Sequence, residues 1–214
     1  ERVLESGEEE DIFSPEYFEK LSDVKMPATK LELLVKILRK QIKEYGKVNR
    51  LAAKTYHEML EKTIAEYHER RKHLSAEEAG EAQKQVSEDI IKIATEQALA
   101  ILRAMNENRE SFRKMGLTFE EKAFYDILVS MRDQYNFEYG TDKEVDGIVI
   151  NDKCKNLAIK VKEIIDTKSS FADWLNNQNV RDQLKLEIKI YLVKNGYPPQ
   201  YSPEVFKKVM EQGE

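Results

Sequence analysis

The chain has 214 residues, of which 35% are charged and 41% hydrophobic, and its formal net charge is −5. It is long enough to bury a real core, as one large domain or two small ones, and its balance is that of soluble helix-rich protein rather than of a dedicated nucleic-acid binder. A lone cysteine, Cys154, excludes an internal disulfide framework and favours a reducing, cytoplasmic setting, while no apolar run approaches the ~18 residues of a membrane span and no signal-peptide pattern opens the chain.

The charge is unevenly spread. Residues 1–26 hold nine acids against three bases, a balance of −6, and the remainder is close to neutral at +1. Opening at Glu1 inside this acidic stretch, with no initiator Met, the chain is expected to be a piece of a longer protein, with 1–12 a linker and 13–214 a helical domain. Proline placement sets the fold class. Pro15 and Pro27 lie near the start and Pro198, Pro199 and Pro203 near the end, leaving 170 proline-free residues from Ala28 to Tyr197 with six glycines. Such a run is expected of helices, so the fold class is all-α, an irregular multi-helix bundle of about seven helices.

In chain order, Ser14-Pro15-Glu16 reads as an N-cap with proline at the first helical position, opening a short helix to about Leu21 anchored by Phe13 and Phe18. From Thr29, the set Leu31, Leu34, Leu38, Ile42 and Tyr45 defines one apolar face, and the pattern resumes after Gly46 with Tyr56, Met59, Leu60, Thr63, Ile64 and Tyr67, as one bent helix or two. A turn is expected around Gly80. The next helix carries Val86, Ile90, Ile93, Ala94, Ile101, Leu102 and Met105 and ends near Arg113, before Gly116. Thr118 with Glu121 forms a capping box for a helix burying Ala123, Phe124, Ile127, Leu128 and Met131. Residues 134–147 are rich in turn formers and read as a loop, followed by a helix with Cys154, Leu157, Ala158, Val161, Ile164 and Ile165.

The stretch from Asp173 to Pro199 is the expected organising element. Its helix, from about Gln178 to Asn195, has Val180, Leu184, Ile188, Tyr191 and Leu192 on one side and Leu186, Ile190 and Val193 on a second, which predicts burial between other helices. Gly196 ends it and Pro198-Pro199 prevent a restart. A last short helix, capped by Ser202 with Pro203 behind it, holds Val205, Phe206, Val209 and Met210.

Catalytic motifs are missing: there is no phosphate loop, dinucleotide fingerprint, nucleophile elbow or paired-cysteine motif. His57 and His68 are eleven residues apart, about 16 Å along a helix, too far to share a metal, and His68 and His73 fall on different faces. No catalytic or metal-binding residue is assigned. One charge pattern does stand out. Lys36, Lys40, Lys43, Lys47, Arg50 and Lys54 recur at alternating intervals of four and three, within an arc of roughly 80° if one helix runs through Gly46. They are candidate contacts to DNA or to an acidic partner, with a solvated helix face as the plain alternative.

Several motifs occur in a telling order: DIFSPEYFEKL (Asp11–Leu21), Tyr67-His68, AFYDIL (Ala123–Leu128), Asp173-Trp174 with Asn179–Arg181, and Gly196–Pro199. In that order they resemble the C-terminal helical domain of the restriction (motor and endonuclease) subunit of Type I restriction-modification enzymes. The resemblance covers nearly the whole chain. It implies that residues 1–12 leave an upstream motor domain, and that the domain docks an ATP-dependent DNA translocase and site-specific deoxyribonuclease onto the methyltransferase and specificity subunits. It also implies that ATP and Mg²⁺ serve the parent protein elsewhere, so that this fragment needs no cofactor and is not itself an enzyme. Trp174, Arg181 and Tyr197 become candidate docking or core anchors, the core-and-turn reading being preferred for Trp174 and Tyr197. The alternatives are a domain holding duplex DNA weakly through the basic stripe and a free-standing helical adaptor unrelated to restriction.

Overall fold

The computed structural model describes residues 27–72, 81–169, 177–200 and 202–213. Among them seven helices form: α1 (Pro27–Tyr45), α2 (Arg50–Lys72), α3 (Glu81–Lys114), α4 (Phe119–Gln134), α5 (Asp152–Ser169), α6 (Gln178–Lys194) and α7 (Pro203–Gly213). The predominantly all-α class is as expected. The linker, the short helix at Ser14–Leu21, the turn at Gly80 and Trp174 lie outside the described residues.

The described residues divide into two compact units, 27–43 with 55–108, and 44–54 with 109–213. In the first, α1 buries Leu31, Leu34, Leu38 and Ile42, a spacing that keeps one stripe inward, and α2 contributes Tyr56 and Leu60. From α3 come Ile90, Ala94, Ala98, Ile101, Leu102 and Met105, whereas Val86 and Ile93 stay exposed. Two side-chain bonds tie α2 to α3: the Tyr56 hydroxyl donates to the Ala104 carbonyl at 3.2 Å and Gln97 Nε2 to Glu66 Oε2 at 3.1 Å.

In the second unit α4 packs on α5 and α7, and α5 on α6. The Thr118–Glu121 capping box forms as expected, with Glu121 N donating to Thr118 Oγ1 at 3.1 Å and Thr118 N to Glu121 Oε2 at 2.7 Å. Around Tyr197, which is fully buried, Phe137 and Tyr139 stand edge-on at 5.3 and 5.1 Å, and its hydroxyl donates to the Leu128 carbonyl at 2.6 Å. α6 ends as expected at Gly196, where φ is +68°. The Gly196 amide donates to Val193 and the Tyr197 amide to Leu192, which closes the two orphan carbonyls of a Schellman motif.

Two expectations are corrected. The stretch read as a loop through Gly147 contains half of a β-hairpin, β1 (Asp142–Val145) paired antiparallel with β2 (Ile148–Asn151). Asp146 and Gly147 both take positive φ at its tip, as a two-residue type I′ turn demands. The second correction concerns α6. Leu184, Ile188 and Leu192 are buried, but Leu186, Ile190 and Val193 are 56%, 43% and 51% exposed, so α6 lies against α5 along one face and is not enclosed among the described residues. Helical period placed the second stripe correctly on the cylinder; it carries no information about whether a neighbour exists there.

Candidate functional site

The first unit carries a cleft of about 430 Å³ between α1 and α2, reaching Ala94 of α3. Its floor is aliphatic, with Leu31, Val35 and Ile64. Leu31 and Val35 point the same way because they are one helical turn apart on α1. Its rim is cationic: Lys36 and Arg39 from α1 and Arg71 from α2, with Glu32 the one acid among the described residues that line it. Tyr67 and His68 close the far wall, their rings 5.4 Å apart. Arg71, four residues after Tyr67, donates to the Tyr67 hydroxyl at 3.1 Å and lies 5.6 Å from its ring centroid, a cation–π contact. Arg39 meets Glu61 at 3.4 Å with both side chains about half exposed, a weak restraint that leaves the guanidinium available. An apolar floor inside a cationic rim suits an anionic partner that also has apolar groups to bury.

The basic stripe keeps its exposure and loses its single helix. All six residues are exposed, but α1 stops at Tyr45, residues 46–48 form a turn, and α2 begins at Arg50. Lys36, Lys40 and Lys43 therefore share a face of α1, while Lys47 sits in the turn and pairs with Glu44. Arg50 is committed elsewhere: its Nη1 donates to the Glu211 carbonyl at 2.6 Å, and its amide donates to Gln212 Oε1 at 3.2 Å. Of the candidate anchors, Tyr197 is a core residue of the second unit. Arg181, on the first turn of α6, donates to Gln178 Oε1, and its Nε is buried without a hydrogen-bond partner among the described residues.

No group of three or more His, Cys, Asp or Glu among the described residues could hold a metal ion. Cys154 is fully buried, and burial pushes its thiol up to about 12, so it stays protonated and unreactive at neutral pH.

Residues 5–214 match the family described as Type I restriction enzyme HindI endonuclease subunit-like, C-terminal. The chain belongs to this family. It is similar to a protein of Methanocaldococcus jannaschii provisionally named type I restriction enzyme MjaIXP endonuclease subunit, with 26% identity over 196 residues, 92% of this chain and 16% of that protein. The chain thus spans about a sixth of the length of the relative it matches. No solved structure matches it.

In this member of the Type I restriction family, sequence reasoning missed a polar cluster at the root of the hairpin. Asn151, fully buried, donates from Nδ2 to the Tyr139 carbonyl and to Asp142 Oδ1, both at 2.8 Å. Its Oδ1 accepts from the Cys154 amide at 3.0 Å and so caps the first turn of α5. Gly140 lies so close that an added Cβ would stand 2.5 Å from Asn151 Oδ1, which is why glycine is required there. Arg132 grips Asp142 with two nitrogens, and these bonds, with that from Asn151, hold the Asp142 carboxyl below the ordinary carboxylate range. The signal was present in Asp146-Gly147 between Glu144-Val145 and Ile148-Val149, a hairpin turn flanked by strand formers. The cleft had a fainter signal, Arg71 one turn after Tyr67. No described helix of the chain is long and apolar enough to cross a membrane.

Proposed function

We propose that the chain is the non-catalytic helical module that docks its parent, an ATP-dependent DNA translocase and endonuclease, onto the methyltransferase–specificity complex of a Type I enzyme in the cytoplasm. This reading rests on membership, over residues 5–214, of a family defined as the C-terminal part of the endonuclease subunit. In it, residues 1–12 are the linker from the motor, and ATP and Mg²⁺ belong to domains outside this chain. The exposed stripe Leu186, Ile190 and Val193 supports it, because three aliphatic side chains in a row on a helix are kept in water only at a cost that a partner would remove. An adaptor unrelated to restriction is set aside by the family.

The experiment is capture of the purified methyltransferase–specificity complex by the tagged parent protein. Leu186→Asp, Ile190→Asp and Val193→Asp together should abolish capture while leaving the thermal midpoint nearly unchanged. Undiminished capture would remove this face from the interface.

A second reading is favoured by one observation: Lys36, Lys40 and Lys43 are exposed on one face of α1, and none of them makes an ion pair with another described residue. In that reading they contact duplex DNA weakly, through its phosphates.

A further inference from the structure

We propose that the cationic-rimmed cleft of the first unit is the docking site for the chain's own acidic segment Asp11–Leu21, DIFSPEYFEKL. Residues 1–26 lie outside the described residues, and three observations single out this part of them.

Charge is complementary. The segment carries Asp11, Glu16 and Glu19 against Lys20, in a terminus whose balance is −6, and the rim sets Lys36, Arg39 and Arg71 against Glu32. Polarity agrees as well. Phe13, Phe18 and Leu21 supply the apolar groups that the floor of Leu31, Val35 and Ile64 would take from water, the pattern of an amphipathic segment in a groove. The tether also fits. Residues 22–27 can span about 20 Å when extended. The cleft runs along α1 from Ala28 to Arg39, about 16 Å at the helical rise, so it begins beside Pro27, where this tether joins the helix. A tether this short holds the segment at an effective concentration on the order of millimolar, so even weak complementarity populates the docked state. The family match begins at residue 5 and so takes in both the segment and the residues that line the cleft.

Nucleic acid fits the cleft less well. Phosphates would leave the aliphatic floor unburied, and the Tyr67 ring on which a base could stack already carries the Arg71 guanidinium.

The test uses the full chain with a nitroxide on Tyr17→Cys, the native Cys154 being buried and unlabelled. Selective loss of amide NMR intensity along residues 31–39 and 64–71 is expected. It should be relieved by Arg39→Glu with Arg71→Glu, and restored when Glu16→Arg and Glu19→Arg are added to that variant. Both arginines are exposed at the rim, so the fold should survive their reversal. Unchanged intensity in the labelled chain overturns the proposal. So does intensity loss that ignores the charge reversals. If a short DNA duplex shifts the cleft amides while the label has no effect on them, the cleft belongs to nucleic acid and the proposal fails.

Discussion

At Asn151 four hydrogen bonds converge, since its backbone amide also donates to the Tyr125 hydroxyl at 3.0 Å. Its partner Asp142 makes the cluster sensitive to acid. Hydrogen bonds from Arg132 and then from Asn151 lower the Asp142 pKa in the folded state, so the contact stabilises the fold fully above the ordinary aspartate value of about 3.9 and is lost as pH falls through the depressed folded value. Asp142→Asn should therefore flatten the fall in stability below about pH 4, read as the urea midpoint against pH; an unchanged slope would mean that other carboxylates dominate. Tyr197 is the second residue of consequence. Its hydroxyl is buried, and burial, followed by nearby Cys154 and Tyr139, raises its pKa well above that of a free phenol. Tyr197→Phe should cost about 1 kcal/mol, the net worth of one buried hydrogen bond, measured by denaturant unfolding.

Among the elements, α6 separates the two meanings of an apolar side chain. Leu184 is 6% exposed and Leu186 56%, though they are two residues apart on one helix. Leu184→Ala should destabilise by roughly 2–5 kcal/mol, as emptying a packed aliphatic site does. Leu186→Ala should stay within about 0.5 kcal/mol, the range of substitutions that leave no cavity. Equal effects on the denaturant midpoint would mean that the second face is covered in the free chain. The break between α1 and α2 has an equally local cause. The Lys47, Val48 and Asn49 amides turn back onto Glu44 and Tyr45 carbonyls, and Asn49, fully buried, donates to Asp126 Oδ2 at 2.8 Å. Lys122 pairs with the same carboxylate from the neighbouring turn of α4, which makes Asp126 the clasp of the 46–49 turn.

For the whole molecule, docking and DNA contact differ in salt dependence. If Lys36, Lys40 and Lys43 track phosphates, the affinity of the parent protein for duplex DNA should fall with salt at a log–log slope of about −0.9 per phosphate neutralised. Reversing all three to Glu should then reduce that slope by about 3 and leave the thermal midpoint nearly unchanged, because exposed charges add little to folding. A slope insensitive to the reversal would exclude this face of α1 from phosphate contact. Capture of the methyltransferase–specificity complex by the same variant would show the two surfaces to be separate.

Helix class, the Thr118 cap, the Gly196 stop and the inward stripes of α1, α4 and α5 were legible because each follows from spacing within about one turn of chain. The order of short motifs was enough to indicate the family. What it left open was decided by tertiary contact. Gly46 could lie within a helix or end one, and the bond of Asn49 to Asp126 joins residues 77 apart. The fate of Leu186, Ile190 and Val193 depended on whether another element covers them, and the cleft required Arg39 and Arg71, 32 residues apart, to face one floor. Periodicity assigns a side chain to a face of its own helix; only packing determines what that face meets.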